Sequence, residues 1–236
     1  MAILQRITRS LAQQGLVATL AKLHGLFLDY WFDFRYGLDT CACSTLDDLT
    51  VCGENKAGGY QYSPTRVLPL RRLFVKLLPR LAEEFVLVDF GSGKGRILLV
   101  AAEYGFREVR GVEFARELSE IARKNCARFK ARTGVATQFK IIEGDAARYV
   151  VQPDENVFVM CNPFNDAVLS GVLAQISTSL RSHPRNVMII YYNPKWAQVI
   201  EQWGECPHRQ ELVSAGFRFA IYSNAPDTAV AETKNH

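Results

Sequence analysis

Apolar residues recur along this chain in two periods that alternate. Between residues 85 and 223, short runs rich in Val, Ile, Phe and Tyr trade places with stretches whose apolar residues fall three and four apart. The runs 85–89, 108–113, 138–142, 157–160 and 186–192 have the length and β-branched content of strands, the apolar ones those of buried strands. Helical spacing predicts helices over about 94–104, 115–131, 166–181 and 195–203. Two last short strands, 208–213 and 217–222, flank Ser214-Ala215-Gly216 and read as a closing hairpin. Alternating strand and helix predicts an α/β fold. Its seven-stranded sheet is mostly parallel, with helices on both faces and an antiparallel strand at the end.

Upstream of the first strand the period is helical. Ile3, Leu4, Ile7 and Leu11 share one spacing, and Val17, Leu20, Leu23 and Phe27 resume it after Gly15, predicting helix from residue 1 to about 36. Tyr30 to Thr40 is aromatic with interleaved charges. Such a stretch stacks on bases or cages a cation, or more simply forms the seam between an extension and its domain. Residues 41–60 read as loop. Tyr60-Gln-Tyr-Ser-Pro-Thr65 then leads into an amphipathic helix through Val67, Leu70, Leu73, Phe74 and Leu77. Ser63 or Thr65 suits its start and Pro79 its end. The predicted division is a helical, aromatic extension over 1–60, a main domain over 61–224 and a polar, frayed tail over 225–236.

Composition narrows the class. A length of 236 residues suffices for one α/β domain and a modest extension. A net charge of +4 is too small to argue for nucleic acid, and the bases of the 115–131 helix are interrupted by Glu117 and Glu120, as on a solvated face. Among the six cysteines, Cys41-x-Cys43 with Cys52 has no C-x-x-C partner and no nearby histidine, so they predict no metal site and fit the reduced thiols of a cytoplasmic protein. No apolar run reaches the roughly 18 residues that span a bilayer. The first acid is Asp29, after Arg6, Arg9 and Lys22. That beginning admits a helical cap on the domain, an organelle transit segment or a membrane-surface helix.

The chemistry concentrates where strands end. After the first strand come Asp89-Phe-Gly91-Ser92-Gly93-Lys-Gly95-Arg96. Strand, glycine turn and helix present backbone N–H groups to a ligand, and glycine tolerates positive φ and close approach. The dinucleotide fingerprint is G-x-G-x-x-G; here the spacing is G-x-G-x-G, and Arg96 takes the fingerprint's last position. The acid before the glycines, Asp89, would repel a pyrophosphate but suits a ligand carrying an amino group. Glu113 ends the second strand, about twenty residues on, where a carboxylate can accept both ribose hydroxyls or simply favour a helix N-terminus. Asp145 follows the third strand and is also a natural N-cap. Cys161-Asn162-Pro163-Phe164 follows the fourth, at the ligand-binding end of a parallel sheet.

Taken in order, these four signals resemble the motifs of class I, Rossmann-like, S-adenosylmethionine-dependent methyltransferases over residues 60–223. The Tyr60 to Thr65 approach and Asn162-Pro163-Phe164 are similar to those of small lysine and other N-methyltransferases. The resemblance implies S-adenosylmethionine as cofactor. Asp89, Gly91, Ser92, Gly93 and Gly95 would hold its amino-acid end, and Glu113 its ribose. Phe114 would lie against adenine and Asp145-Ala146 at the adenine edge, with Tyr62 and Thr65 lying across the cofactor. It also implies that Asn162, Pro163 and Phe164 align the acceptor, with Asn162 reaching the cofactor too. The acceptor implied is an amine, a protein lysine first and an RNA base or small amine next. The single proline in the Asn-Pro-Phe loop departs from the base-modifying pattern. Two other classes remain open on these residues. One is an NAD-dependent oxidoreductase, against which Asp89 and the glycine spacing argue. The other is a catalytically silent cofactor-binding module, which has no need of the Asn162 loop.

Overall fold

The computed structural model describes residues 2–44, 49–51, 62–77, 84–162 and 164–226, with 2–14 as backbone only. The order of elements follows the alternation in the sequence. A long helix α1 (Ala2–Tyr36) and a second, α2 (Val67–Leu77), precede the strand–helix series. The series runs β1 (Val86–Phe90), α3 (Arg96–Ala102), β2 (Glu108–Glu113), α4 (Arg116–Thr133), β3 (Gln138–Glu143), β4 (Glu155–Met160), α5 (Asp166–Ser182), β5 (Met188–Tyr192) and α6 (Ala197–Trp203). The hairpin β6 (His208–Ser214) and β7 (Phe217–Ser223) closes it. Pro79 and residues 227–236 lie outside the described residues.

The seven strands form one sheet in the order β3-β2-β1-β4-β5-β7-β6. β1 is parallel to β2 and to β4, with Asp89 level with Gly111 on one side and Val159 on the other. β7 runs antiparallel to both β5 and β6. Its hairpin turns on Ala215 and Gly216, at φ 48° and 82°; two successive left-handed residues match the right-handed twist of the flanking strands.

Side chains alternate across the sheet and build two cores. Leu87, Val109, Val159 and Ile190 pack with α2, α3 and Phe32 of α1 on one face. Val88, Val112, Phe158 and Ile189 pack with α5 and Ile200 of α6 on the other. Because β1 is flanked by β2 and β4, the chain crosses from one half of the sheet to the other at the β1–β4 boundary. In open α/β sheets the crevice outside the carboxyl ends at that switch point is where ligands bind.

The kink in α1 falls at Gly15, whose φ of 79° breaks the helix as the sequence period does. Beyond it, α1 docks on the domain through ring contacts of Phe32 and Tyr36 with Phe129, at centroid distances of 6.0 and 4.8 Å. Two bases of α4 close its C-terminus: Arg132 donates to the Arg35 carbonyl (2.9 Å) and Arg128 to that of Gly37 (3.1 Å). Cationic donors satisfy carbonyls that have no partner inside the helix and oppose its dipole.

Candidate functional site

The glycine loop takes its shape from three left-handed residues. Gly91, Gly93 and Gly95 have φ of 75°, 53° and 85°, a region that side-chain-bearing residues enter at a cost. At Gly93 the need is also steric, since a Cβ there would lie 2.3 Å from a ring carbon of Tyr62. Tyr62 donates from its hydroxyl to the Thr40 carbonyl (2.8 Å), so its ring lies over the loop. The Gly91 and Ser92 amides donate to the Val112 carbonyl at 2.8 and 3.2 Å. Gly111, in the middle of β2, leaves room for the turn, because a Cβ there would come within 2.6 Å of Ser92 Oγ.

A cavity of about 540 Å³ opens over the carboxyl ends of β1, β2, β4 and β5. The glycine loop, Asp89, Glu113, Phe114, Tyr62 to Arg66 and Leu49 line it, together with Cys161 and Asn162 after β4 and Tyr192, Asn193 and Lys195 at the end of β5. Asp89 is 1% exposed, and neither of its carboxylate oxygens has a partner. Ser92 Oγ is likewise buried and unpartnered. Buried polar atoms in a folded chain are almost always satisfied, so two orphans in one cavity point to a ligand. Burial, reinforced by the charge of Glu113, holds the Asp89 carboxyl well above the usual carboxylate range.

Glu113 is placed differently. It accepts from the Gly93 amide (2.7 Å) and the Ala115 amide (3.0 Å), tying the end of β2 to the glycine loop. Burial raises its pKa, and these backbone donors oppose the rise. Phe114 packs beside Leu49, Leu118 and Tyr62. Thr65 donates to Cys161 Sγ (3.2 Å) and its carbonyl accepts from Arg96 (3.1 Å). Burial pushes the Cys161 thiol up to about 12, so it stays protonated at neutral pH.

Asn162 stands at φ 45°. Its Nδ2 donates to the Asn193 carbonyl, and its Oδ1 accepts from the Lys195 amide (3.2 Å). The side chain therefore bridges the loops after β4 and β5. Asn193, also left-handed at φ 48°, precedes Pro194 as Asn162 precedes Pro163. Tyr192, Asn193 and Lys195 join the cavity wall beyond the residues that the motifs single out, and the second Asn-Pro, after the next strand, is the signal that marks them.

Other expected residues stand apart from the cavity wall. Phe164 is 7% exposed, packs in the core with residues of α5 and is not among the residues that line the cavity. Its ring is large and apolar, and α5 offers Val168 and Leu169 to bury it. Asp145 caps a short 3₁₀ turn, Ala146–Arg148, by accepting from the Ala147 amide (2.9 Å). Asp145, Ala146 and Gly95 do not line the cavity. The preceding Gly144 amide donates to the Glu113 carbonyl (2.9 Å), so this turn stands beside the Glu113 end of the cavity. Pro163 lies outside the described residues.

The extension supplies a part of the site that the sequence did not reveal. Arg96, 2% exposed, donates to Thr40 Oγ1 (2.7 Å) and Cys41 Sγ (2.9 Å) and lies 3.6 and 3.7 Å from the carboxylates of Asp29 and Asp33. Asp29 also accepts from Arg66 (2.7 Å) and from the first amide of α2 (2.9 Å). Lys94, 3% exposed, pairs with Asp39 (3.0 Å). Asn125 of α4 donates to the carbonyls of both Asp39 and Lys94 (3.0 Å each). Both bases of the glycine loop are thus held by acids from residues 29–39.

Strand order, the closing antiparallel strand and the helices around the sheet define the Rossmann-like methyltransferase fold. Among solved structures, the chain is similar to a candidate S-adenosyl-L-methionine-dependent methyltransferase from Methanococcus maripaludis. The match has a TM-score of 0.51 at 14% identity, over 70% of this chain and 88% of that one. A SAM-dependent methyltransferase from Aquifex aeolicus matches with a TM-score of 0.51 at 12% identity, over 66% and 90% of the two chains. A mitomycin 7-O-methyltransferase matches with a TM-score of 0.51 at 14% identity, over 67% of this chain and 54% of that one. No protein-family model and no curated protein matches the sequence.

Proposed function

We propose that the chain is an S-adenosylmethionine-dependent methyltransferase and that its acceptor is an amine nitrogen, a protein lysine before an RNA base or a small amine. Asp89 carries the proposal: a buried, unpartnered carboxylate beside a glycine loop, in a cavity sized for a small ligand. A cationic amino group is the partner that such a carboxylate lacks. Ser92 Oγ offers a second polar contact at the same end. Glu113, Phe114 and Leu49 suit a nucleoside, through a carboxylate for ribose hydroxyls and an apolar wall for a flat base. Asp145-Ala146 would meet the base at its edge. In the division we propose, residues 1–60 are the extension, 61–224 the cofactor domain and 225–236 a tail.

When bound, S-adenosylmethionine supplies a methyl group already activated on a sulfonium. The chain's own work is therefore alignment and exclusion of water rather than strong acid–base catalysis. Asn162 fixes the loop after β4 against the loop after β5, in the wall of the same cavity as Asp89. An amine arriving there meets neutral amide oxygens able to accept its N–H groups. Tyr62, Tyr192 and Phe217 provide apolar walls that keep water away.

Titration calorimetry with S-adenosylmethionine, S-adenosylhomocysteine and NAD tests the cofactor. Micromolar binding of the first two without NAD supports the reading, and binding of NAD alone turns it into an oxidoreductase. Labelled methyl supplied to a cell lysate, then sorted into protein, nucleic-acid and small-molecule fractions, tests the acceptor. Asn162→Ala is expected to lower turnover by about 10²-fold with little change in cofactor affinity, the scale of one positioned transition-state contact. Unchanged turnover, or label found on oxygen or carbon, removes the amine assignment.

A further inference from the structure

The side of α1 that faces the domain mixes two acids with the rings of Phe32 and Tyr36. Asp29 and Asp33 are buried there against Arg96. The opposite side is apolar and exposed: Leu16, Leu20, Leu23, Phe27, Trp31 and Phe34 follow one another up the helix, with Phe27 61% and Phe34 76% exposed. Phe27 stacks on Trp31 at 6.2 Å and Trp31 meets Phe34 at 5.7 Å, so the rings form a continuous ladder. An amphipathic helix normally buries its apolar stripe in the core. Here the two acids and the two rings take the inner side, and the apolar stripe is left outside.

We propose that this face of α1 seats the chain on an anionic lipid surface, with the helix lying in the headgroup layer. Charge selects the occupant. Residues 1–28 hold Arg6, Arg9 and Lys22 and no acid, a basic balance that complements anionic headgroups. Trp31 and Tyr30 carry the amphipathic rings favoured at a membrane–water interface. No helix among the described residues is long and apolar enough to cross a bilayer, so the geometry is one of lying on the surface. A second copy of α1 fits less well. The flanks of the stripe carry Val17, Leu26 and Tyr30 instead of the opposite charges that set a coiled-coil partner, and they make the stripe wider than a two-residue seam.

Flotation of the full chain with vesicles tests this, and the readout is independent of any methyl transfer. The chain is expected to float with phosphatidylcholine vesicles that contain phosphatidylglycerol and to stay largely behind with pure phosphatidylcholine. The double substitution Phe27→Glu with Phe34→Glu is expected to cut the bound fraction by about tenfold or more, with the circular dichroism spectrum and melting temperature unchanged. Leu20→Gln with Leu23→Gln is a second pair and should act in the same direction. Failure of the chain to float, or variants that float as well as the parent, overturns the proposal. Equal flotation on neutral vesicles overturns its anionic part. A micromolar dimer that Phe27→Glu with Phe34→Glu converts to monomer assigns the face to self-association instead.

Discussion

Asp89→Asn separates what the site costs the fold from what it does for a ligand. The Asp89 carboxyl is 1% exposed, unpartnered and raised by burial, with Glu113 adding to the rise. Its folded pKa lies above the unfolded one. The folded chain therefore holds a proton that the unfolded chain has released, and stability falls as pH climbs from the ordinary carboxylate range towards the raised value. Asparagine keeps the shape and removes the ionisation, so the variant is expected to melt no lower than the parent. A gain of about 0.5–2 kcal/mol is in the usual range for relieving a functional site, and corresponds to roughly 1–8 °C in a chain of this size. A ligand ammonium sees the reverse. Removing one partner of a buried ion pair costs about 3–5 kcal/mol, which is about 10²- to 10⁴-fold in Kd. Calorimetry with S-adenosylmethionine between pH 6 and 8, in buffers of different ionisation heat, reads both effects. Cation binding displaces the Asp89 proton, so the parent's affinity should tighten as pH rises and the slope should vanish in the variant. Adenosine, which lacks the amino-acid end, should bind both proteins alike. A variant that binds S-adenosylmethionine within about threefold of the parent, well under the expected energy, would refute the assignment of Asp89.

Gly93→Val forces a left-handed β-branched residue, at about 1–2 kcal/mol of backbone strain, and drives its Cβ into the Tyr62 ring. Calorimetry should find cofactor binding lost while circular dichroism still shows a folded chain. Arg96→Leu leaves Asp33 buried without its base and Asp29 with Arg66 alone. A loss of about 3–5 kcal/mol, roughly 6–20 °C in melting temperature, is expected, along with faster proteolysis ahead of residue 41. Phe164→Ala opens a hole in the core under α5. It should cost about 3–5 kcal/mol in denaturant unfolding and leave the cofactor Kd and the identity of the methylated product unchanged.

Features that were legible in the sequence are those set by local pattern. The alternation of β-branched runs with helical spacing places each strand to within two residues, and for β1, β4 and β5 a buried parallel strand leaves little choice of side chain. Asp89, the three glycines and Glu113 stood out because the turn they make requires φ values and acids that few other turns need. Features that escaped depend on the direction a side chain takes after a turn, or on partners far apart in the chain. Nothing in Asn-Pro-Phe states whether Phe164 faces the cavity or the core; α5 decides it by offering an apolar bed. Asn162 was recognisable as a residue of the β4 end, but its bonds go to Asn193 and Lys195, about thirty residues on.

Arg96 illustrates the long-range case most fully. The dinucleotide fingerprint places a glycine where this chain has an arginine, and the sequence alone made that a departure from a pattern. The structure turns it into a requirement for the extension. A guanidinium that is 2% exposed needs acids and acceptors, and the loop itself offers none. Asp29, Asp33 and Thr40 provide them, and Asp39 does the same for Lys94. Asp33 in turn accepts from the Thr40 and Cys41 amides (2.7 and 2.8 Å), which fixes the turn after α1. The extension and the glycine loop therefore order each other, and a change in one should be felt in the other's cofactor affinity. The arrangement also explains the outward stripe of α1. With Asp29, Asp33, Phe32 and Tyr36 committed to the domain, the stripe from Leu16 to Phe34 has only the outside left.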